Sequence, residues 1–439
     1  ISLDELHGLD EAVAWAKSTI VDIEAWKRGE IAWDAIDAGV VVDGPPGTGK
    51  TTFAKIFASE SELPLIAGTL AKWQASGDAH LGHLLKAMRK DFDEARATAP
   101  AVMFIDELDS FPNRSSLTHS HKDYVIEVVN AFIEQLDGLQ GRQGLIFIGA
   151  TNDVSRCDPA IVRAGRLNRI IKVRLPEPAD IEKMMRVRLR GDLADQSLEE
   201  LSLLAIGSSG ADVERIVKDA RRFARQEERT LSLPDLRRAV LGSDEDISPE
   251  QLLRAAVHEA GHIIIGVIHN GPKDIHAVVS GSRDRAGLVA SRRADFTAGT
   301  LEEYRRTLQE LLAGRAAEEI ELGAAGNGAG GSQRSDLAKA SSIAAAMVGS
   351  VGHGGPHPLL FLAEHFETNA ILDHPYLRAA AHLELAAAFE EAKRILGLHR
   401  DALTRVAGLL QTRGRIDGVE VAEIIKASAP GETQQTLRE

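Results

Sequence analysis

The eight residues Gly44-Pro45-Pro46-Gly47-Thr48-Gly49-Lys50-Thr51 restrict the fold of this chain more than any other stretch. They follow the apolar run Val40-Val41-Val42 and open a helical pattern, and they fit the G-x-x-x-x-G-K-[ST] phosphate-binding pattern. Phosphate oxygens need inward-pointing backbone N–H groups with no side chain in the way. Gly44, Gly47 and Gly49 permit that, at the start of a helix whose dipole favours anions. Lys50 is placed to reach the β- and γ-phosphates and Thr51 to ligate Mg²⁺. Two further apolar runs, Ala101 to Ile105 and Leu145 to Ile148, also read as buried parallel strands. Up to about Pro176 the pattern is therefore a βαβ sheet flanked by helices.

Other elements agree with a nucleotide site. The strand ending at Ile105 runs into Asp106-Glu107. Strand-terminal carboxylates of this kind hold Mg²⁺ (Asp106) and polarise an attacking water (Glu107). A lone glycine-rich match can be a simple turn, but the paired carboxylates at this distance speak against that. After the next strand, Ala150-Thr151-Asn152 places an Asn where it can hold the water beside a γ-phosphate.

Some two hundred residues downstream stands His258-Glu259-Ala260-Gly261-His262. On a helix, this HExxH pattern puts two imidazoles on one face at the separation a single Zn²⁺ requires, with Glu259 as general base. The two histidines could be satisfied core residues. Glu259 on the same apolar stretch counts against that reading, because an unpaired buried carboxylate is costly, and a metal accounts for all three. A catalytic zinc needs a third protein ligand and a free fourth position. Candidates for the third are Asp336, Glu318 or Glu319, and His353 or His357.

The chain's 439 residues suffice for two or three domains. Its net charge of −14 and lack of a Lys/Arg run argue against a nucleic-acid partner. Cys157 is the only cysteine, which excludes a disulfide framework and fits a reducing, cytoplasmic-side compartment for a chain soluble as given. The longest apolar window, Ala255 to Ile268, carries the HExxH residues and is too short and polar to span a bilayer. The chain begins at Ile1 without a Met, so an upstream segment is expected to have been removed, and membrane attachment through it stays open. Residues 179 to 241 read as helices, followed by a turn-rich linker from Gly242 to Pro249. The remainder is mostly helical, apart from a hairpin at 275 to 292 and a Gly-rich loop from Gly323 to Gly331. That hairpin either offers an edge strand to an extended peptide or is a small structural hairpin.

Further stretches carry a family resemblance. Asp158-Pro-Ala-Ile-Val-Arg163-Ala-Gly165-Arg166-Leu-Asn-Arg169 resembles the second region of homology of AAA ATPases, and Gly207-Ser-Ser-Gly210-Ala211-Asp212 resembles their lid motif near the adenine. Leu311-Leu312-Ala-Gly314-Arg315-Ala-Ala-Glu318-Glu319, followed by Ser335-Asp336-Leu337-Ala-Lys-Ala-Ser, resembles the FtsH-type AAA+ ATP-dependent zinc metalloproteases. The likeness extends from Leu6-His7-Gly8-Leu9-Asp10-Glu11 to the C-terminal helices. It implies a multidomain chain: an α/β AAA+ P-loop ATPase core (1–176), a small helical lid (177–243), a mainly α-helical zinc metalloprotease domain (244–428) and a polar tail (429–439). By the same resemblance Asp336 is the third zinc ligand, Glu318 and Glu319 support the site, and Arg166 and Arg169 are arginine fingers acting on a neighbour's nucleotide. A homo-oligomeric ring follows, usually a hexamer, with Zn²⁺, ATP and Mg²⁺ as cofactors and unfolded or tagged proteins as substrates. On the residues alone, Asp336 could instead cap the helix beginning near Leu337.

Two departures stand out. The family's N-terminal membrane helices are absent from this chain. Where its pore loop carries aromatic-apolar-Gly, this chain reads Lys72-Trp73-Gln74-Ala75-Ser76-Gly77, with Trp73 as the pore-loop candidate and a core role as its alternative. The expected activity is ATP-driven, processive peptide hydrolysis. The alternative is a protein remodeller with a non-catalytic zinc site. A nucleic-acid motor of similar ATPase fold is disfavoured by the acidic balance.

Overall fold

The computed structural model describes residues 2–75, 81–114, 122–137, 143–241, 248–273, 275–282, 285–291, 299–327, 330, 335–354, 358–359, 361–362 and 371–428, with only the backbone described at 280–282 and 285–291. Most of the expected linker and all of the polar tail lie outside these residues. The chain divides into two compact units, Ile1–Ser232 and Leu233–Glu439.

In the first unit the order is α1 (Asp10–Lys27), β1 (Gly39–Asp43), α2 (Lys50–Glu60), β2 (Leu65–Gly68), α3 (Leu70–Ala75), α4 (Leu81–Ala97) and β3 (Ala101–Ile105). Then follow α5 (Lys122–Asp137), β4 (Leu145–Thr151), β5 (Arg169–Lys172), α6 (Pro178–Leu189), α7 (Glu199–Leu204) and α8 (Gly210–Gln226). The five strands form a parallel sheet in the order β2-β3-β4-β1-β5. Val40 and Val42 join an apolar layer with Trp15, Phe53 and Phe57, whereas Val41 joins a layer with Met103, Phe92 and Phe147. Both faces of the sheet are thus covered by helices, which is why its strands read as unbroken apolar runs rather than alternating ones. Because β3, β4 and β1 are parallel neighbours, the residues that follow each of them emerge along one edge.

The expectation for Trp73 is corrected here. Trp73 lies on α3 and is 1% exposed, packed with Phe92, Phe111 and Phe132, and its Nε1 donates to Asp91 at 2.7 Å. Burial and a satisfied N–H make it a core residue that does not project toward a substrate. Ser76 and Gly77, the end of the expected pore-loop stretch, lie outside the described residues.

The second unit contains α9 (Leu233–Leu241), α10 (Pro249–Asn270), β6 (Ile275–Ser282), β7 (Arg285–Ser291), α11 (Leu301–Leu322) and α12 (Asp336–Gly349). It continues with α13 (Pro375–Leu398), α14 (Arg400–Arg413), β8 (Arg415–Asp417) and α15 (Gly418–Ser428). Helix α10 starts where Ser248 and Gln251 form a capping box with Pro249 in the first turn, and it ends at Gly271, with φ of 83°. Its residues Ile263, Ile264 and Ile265 are fully buried, each worth roughly 1.5–3 kcal/mol in removal from water. Among the described residues, no helix is long and apolar enough to cross a membrane.

The hairpin of β6 and β7 forms at the expected place, but β8 pairs with the other side of β6. Strand β6 is therefore central. The Val279 N–H donates to the Gly414 carbonyl at 2.8 Å, and the edges of this sheet are β7 and β8.

Candidate nucleotide and metal sites

Helix α2 begins directly after Gly47 and Gly49, whose φ values of 78° and 98° lie in the left-handed region, open to glycine at no steric cost. The phosphate loop therefore turns sharply into the helix N-terminus. Lys50 Nζ lies within this loop, donating to the Pro45 carbonyl at 2.9 Å and to Asn152 Oδ1 at 3.0 Å. Thr51 Oγ1 donates to Asp106 Oδ2 at 2.9 Å. The hydroxyl and carboxylate expected to share Mg²⁺ thus stand side by side, one from the start of α2 and one from the end of β3. Glu107 has φ of 57°, a left-handed conformation costing a non-glycine residue roughly 1–2 kcal/mol. The turn that holds this carboxylate is accordingly strained.

The stretch resembling a lid motif lies against the same loop. Ser209 caps α8 in a box with Asp212, and the Ala211 N–H donates to the Gly47 carbonyl at 3.1 Å. A Cβ at Gly47 would lie 2.6 Å from Ser209 Oγ, so this approach depends on glycine there. The two expected finger arginines are held within the chain: Arg166 pairs with Asp137 and Arg169 with Asp37.

In the second unit, His258 and His262 rise from α10 with their Nε2 atoms 3.1 Å apart. Asp336 Oδ2 is 3.5 Å from the first and 3.4 Å from the second. Among the described residues this is the group with metal-ligand geometry. Bonds of about 2.1 Å to a tetrahedral zinc place ligand atoms about 3.4 Å apart, so this triangle fits zinc and leaves a fourth position open. Both imidazoles are oriented by their other nitrogen. His258 Nδ1 is 2.8 Å from Glu318 Oε1, and His262 Nδ1 is 2.7 Å from the Glu310 carbonyl. With Nδ1–H donating to these acceptors, each Nε2 keeps its lone pair for the metal.

The alternative for Asp336 as a cap is also resolved by geometry. Ser335 is the N-cap of α12, its side chain accepting from the Ala338 N–H, so Asp336 begins the helix with its carboxylate directed at the histidines. Burial would raise the Asp336 carboxyl, yet its contacts with His258 and His262 hold it well below the usual carboxylate range. Glu318 behaves likewise: burial is outweighed by His258, the Gly326 N–H and Arg254. Glu259, 7% exposed, is pushed the other way, because burial raises its carboxyl above the ordinary value.

Other candidate ligands lie elsewhere. Glu319 pairs with Lys393 at 3.2 Å, and His353 Nε2 is 2.6 Å from the Gly299 carbonyl. His357 falls outside the described residues. Sequence reasoning missed two glycines that let α10 and α11 approach. A Cβ at Gly261 would lie 2.5 Å from the Ala313 carbonyl oxygen, and one at Gly314 would lie 2.5 Å from His258 Cε1. Gly261 is inside the HExxH motif and Gly314 inside Leu311–Glu319, so their spacing was visible but not their contact. Arg254, four residues before His258 and bound to Glu318 at 2.7 Å, gave no sequence signal.

Comparison with known proteins matches a known family in each half of the chain. Residues 40–175 match the ATPase family associated with various cellular activities (AAA), and residues 245–424 match peptidase family M41. The chain is 30% identical to ATP-dependent zinc metalloprotease FtsH 1 of Symbiobacterium thermophilum, over 98% of this chain and 73% of that protein. It is 30% identical to the FtsH of Syntrophus aciditrophicus, over 97% of this chain and 60% of the relative. With FtsH 2 of Methylacidiphilum infernorum the identity is 29%, over 97% and 69% respectively. A nucleotide edge and a zinc triangle in one chain, matched along nearly its whole length, place it in a single family: the chain belongs to the FtsH-type AAA+ zinc metalloproteases, whose cofactors are Zn²⁺, ATP and Mg²⁺.

Proposed function

We propose that this chain acts as an ATP-driven, processive zinc endopeptidase. Copies assemble into a ring, a hexamer in this reading, that unfolds and threads polypeptides toward the zinc sites. In this reading 1–176 is the large ATPase domain, 177–243 its lid and 244–428 the protease domain. The observation that carries it is the His258–His262–Asp336 triangle with the carboxyl of Glu259 buried beside it.

When bound, Zn²⁺ polarises the scissile carbonyl and lowers the pKa of the attacking water. His258, His262 and Asp336 hold the metal, oriented by Glu318 and the Glu310 carbonyl. Glu259, its carboxyl raised by burial, accepts the water's proton and returns it to the departing amine nitrogen. At the other site Lys50 contacts the β- and γ-phosphates, Thr51 and Asp106 hold Mg²⁺, and Glu107 and Asn152 orient the attacking water. Arg166 and Arg169 serve the nucleotide of a neighbouring copy, exchanging their pairing with Asp137 and Asp37 for its phosphates.

The test compares degradation of an unstructured protein by the wild type and Glu259→Gln at matched ATP hydrolysis. Loss of a general base is expected to slow cleavage by roughly 10²–10⁴-fold, with zinc content and ATPase retained. A wild type that hydrolyses ATP but cleaves nothing replaces this reading with that of a remodeller.

A further inference from the structure

Behind the zinc triangle, Glu318 is 1% exposed and is engaged by three donors, two from α10 and one from the segment beyond α11. Its Oε1 meets His258 Nδ1 at 2.8 Å, while Oε2 accepts from Arg254 Nη1 and from the Gly326 N–H, each at 2.7 Å. The same Arg254 nitrogen donates to the Ala324 carbonyl at 2.9 Å. Both hydrogens of one Nη are thus used, one on the buried carboxylate and one on the backbone just beyond α11. Arg254 stands four residues before His258 on α10, so the two side chains lie on one face of the helix, a turn apart.

This arrangement joins elements that the zinc ligands need held together. Helix α10 carries the histidines, α11 carries Glu318, and Ala324 and Gly326 belong to the segment leading from α11 to Asp336. The approach is close: a Cβ at Gly326 would lie 2.9 Å from Arg254 Cδ and 3.2 Å from Glu318 Oε2. We propose that Arg254 is a positioning residue of the zinc site, gripping Glu318 and Ala324 together so that the His258 ring and the start of the Asp336 segment are set by one guanidinium. This inference rests on the zinc reading of the triangle. Without Arg254, Glu318 would keep its backbone donor and His258 but lose the cation that faces it, and the Ala324 carbonyl would lose its partner. An arginine suits this position better than a lysine because its planar guanidinium keeps donors in fixed directions.

The experiment uses the full chain and measures Zn²⁺ affinity by competition with a chelator, together with hydrogen exchange at the Gly326 amide. Arg254→Met is expected to weaken zinc binding by roughly 10–100-fold, as for other partners that orient metal ligands, and to speed exchange at Gly326. Arg254→Lys should recover part of both. Gly326→Ala, which leaves Arg254 in place but forces the backbone away, should move both readouts in the same direction. Wild-type zinc affinity in Arg254→Met overturns the proposal, as does a lowered unfolding midpoint with zinc affinity unchanged. Should Arg254→Met not fold, wild-type affinity in Gly326→Ala overturns it instead. A wild type that binds no zinc refutes the metal site itself, which is a separate failure.

Discussion

Gly314→Ala sets helix propensity against the geometry of the zinc site, and the two have opposite signs. Gly314 lies inside α11, where alanine would ordinarily be favoured over glycine by about 1 kcal/mol. At this position the added Cβ would lie 2.5 Å from His258 Cε1 and 2.6 Å from Cδ2, with Nε2 nearer still, whereas ordinary contact begins at 3.4 Å. Relief requires the ring or the helix to move by roughly 1 Å, beyond the ~0.2 Å tolerance of a zinc–ligand distance. The ring has little freedom to comply, since Nδ1 is held by Glu318 at 2.8 Å. Overpacking of this kind costs about 1–3 kcal/mol, so the metal-free protein should be destabilised by up to about 2 kcal/mol after the propensity gain. Zinc affinity should fall by about 100-fold or more, equivalent to roughly 2.7 kcal/mol. The control is Gly408→Ala in α14, where a Cβ meets nothing within 4 Å, and which should stabilise by about 1 kcal/mol. Chelator competition and thermal unfolding with and without zinc measure both effects. Wild-type zinc affinity in Gly314→Ala, with a midpoint no lower than that of Gly408→Ala, would refute the reasoning.

Two other outcomes follow from the same structure. Asp336→Asn should lose zinc by at least roughly 10-fold, while Ser335→Ala should keep zinc and lose about 1 kcal/mol of stability as the cap is removed. The opposite pattern in a zinc titration would return Asp336 to the capping role. The buried Cys157 thiol, pushed up to about 12 by burial, should resist thiol reagents at pH 8 in the native state and react fully once the chain is unfolded. Its folded value lies above the ordinary thiol value of 9.0, so its contribution to stability is present below that pH and is lost as pH rises toward about 12. Labelling of the native protein at the denatured rate would show that the thiol is not enclosed.

Much of the architecture was legible because its signals are local. The apolar runs at Val40, Ala101 and Leu145 became β1, β3 and β4, since a parallel sheet covered on both faces needs residues that are apolar on both sides. Strands β2 and β5 were not read: they are four residues each, and β5 has the burial pattern of an exposed edge. The HExxH spacing likewise places two imidazoles on one helical face whatever surrounds the helix. Trp73 shows the limit of such reading. Its neighbours in sequence suggest a loop, whereas Phe92, Phe111 and Phe132 enclose it from positions distant along the chain.

The sequence by itself determined the chemistry available to this protein: a phosphate loop, strand-end carboxylates, and a helix bearing His258, Glu259 and His262. Each is a short-range pattern whose geometry follows from backbone periodicity. As carboxylates, Asp336, Glu318 and Glu319 were all candidates for the third ligand; family resemblance singled out Asp336, and the tertiary structure supplies the physical reason, because α11 and α12 carry the three side chains to different places. The tertiary structure alone decided that Gly314 must be small and that Arg254 reaches Glu318. Those facts arise from the close packing of α10 against α11, a distance between elements that spacing along the chain does not specify.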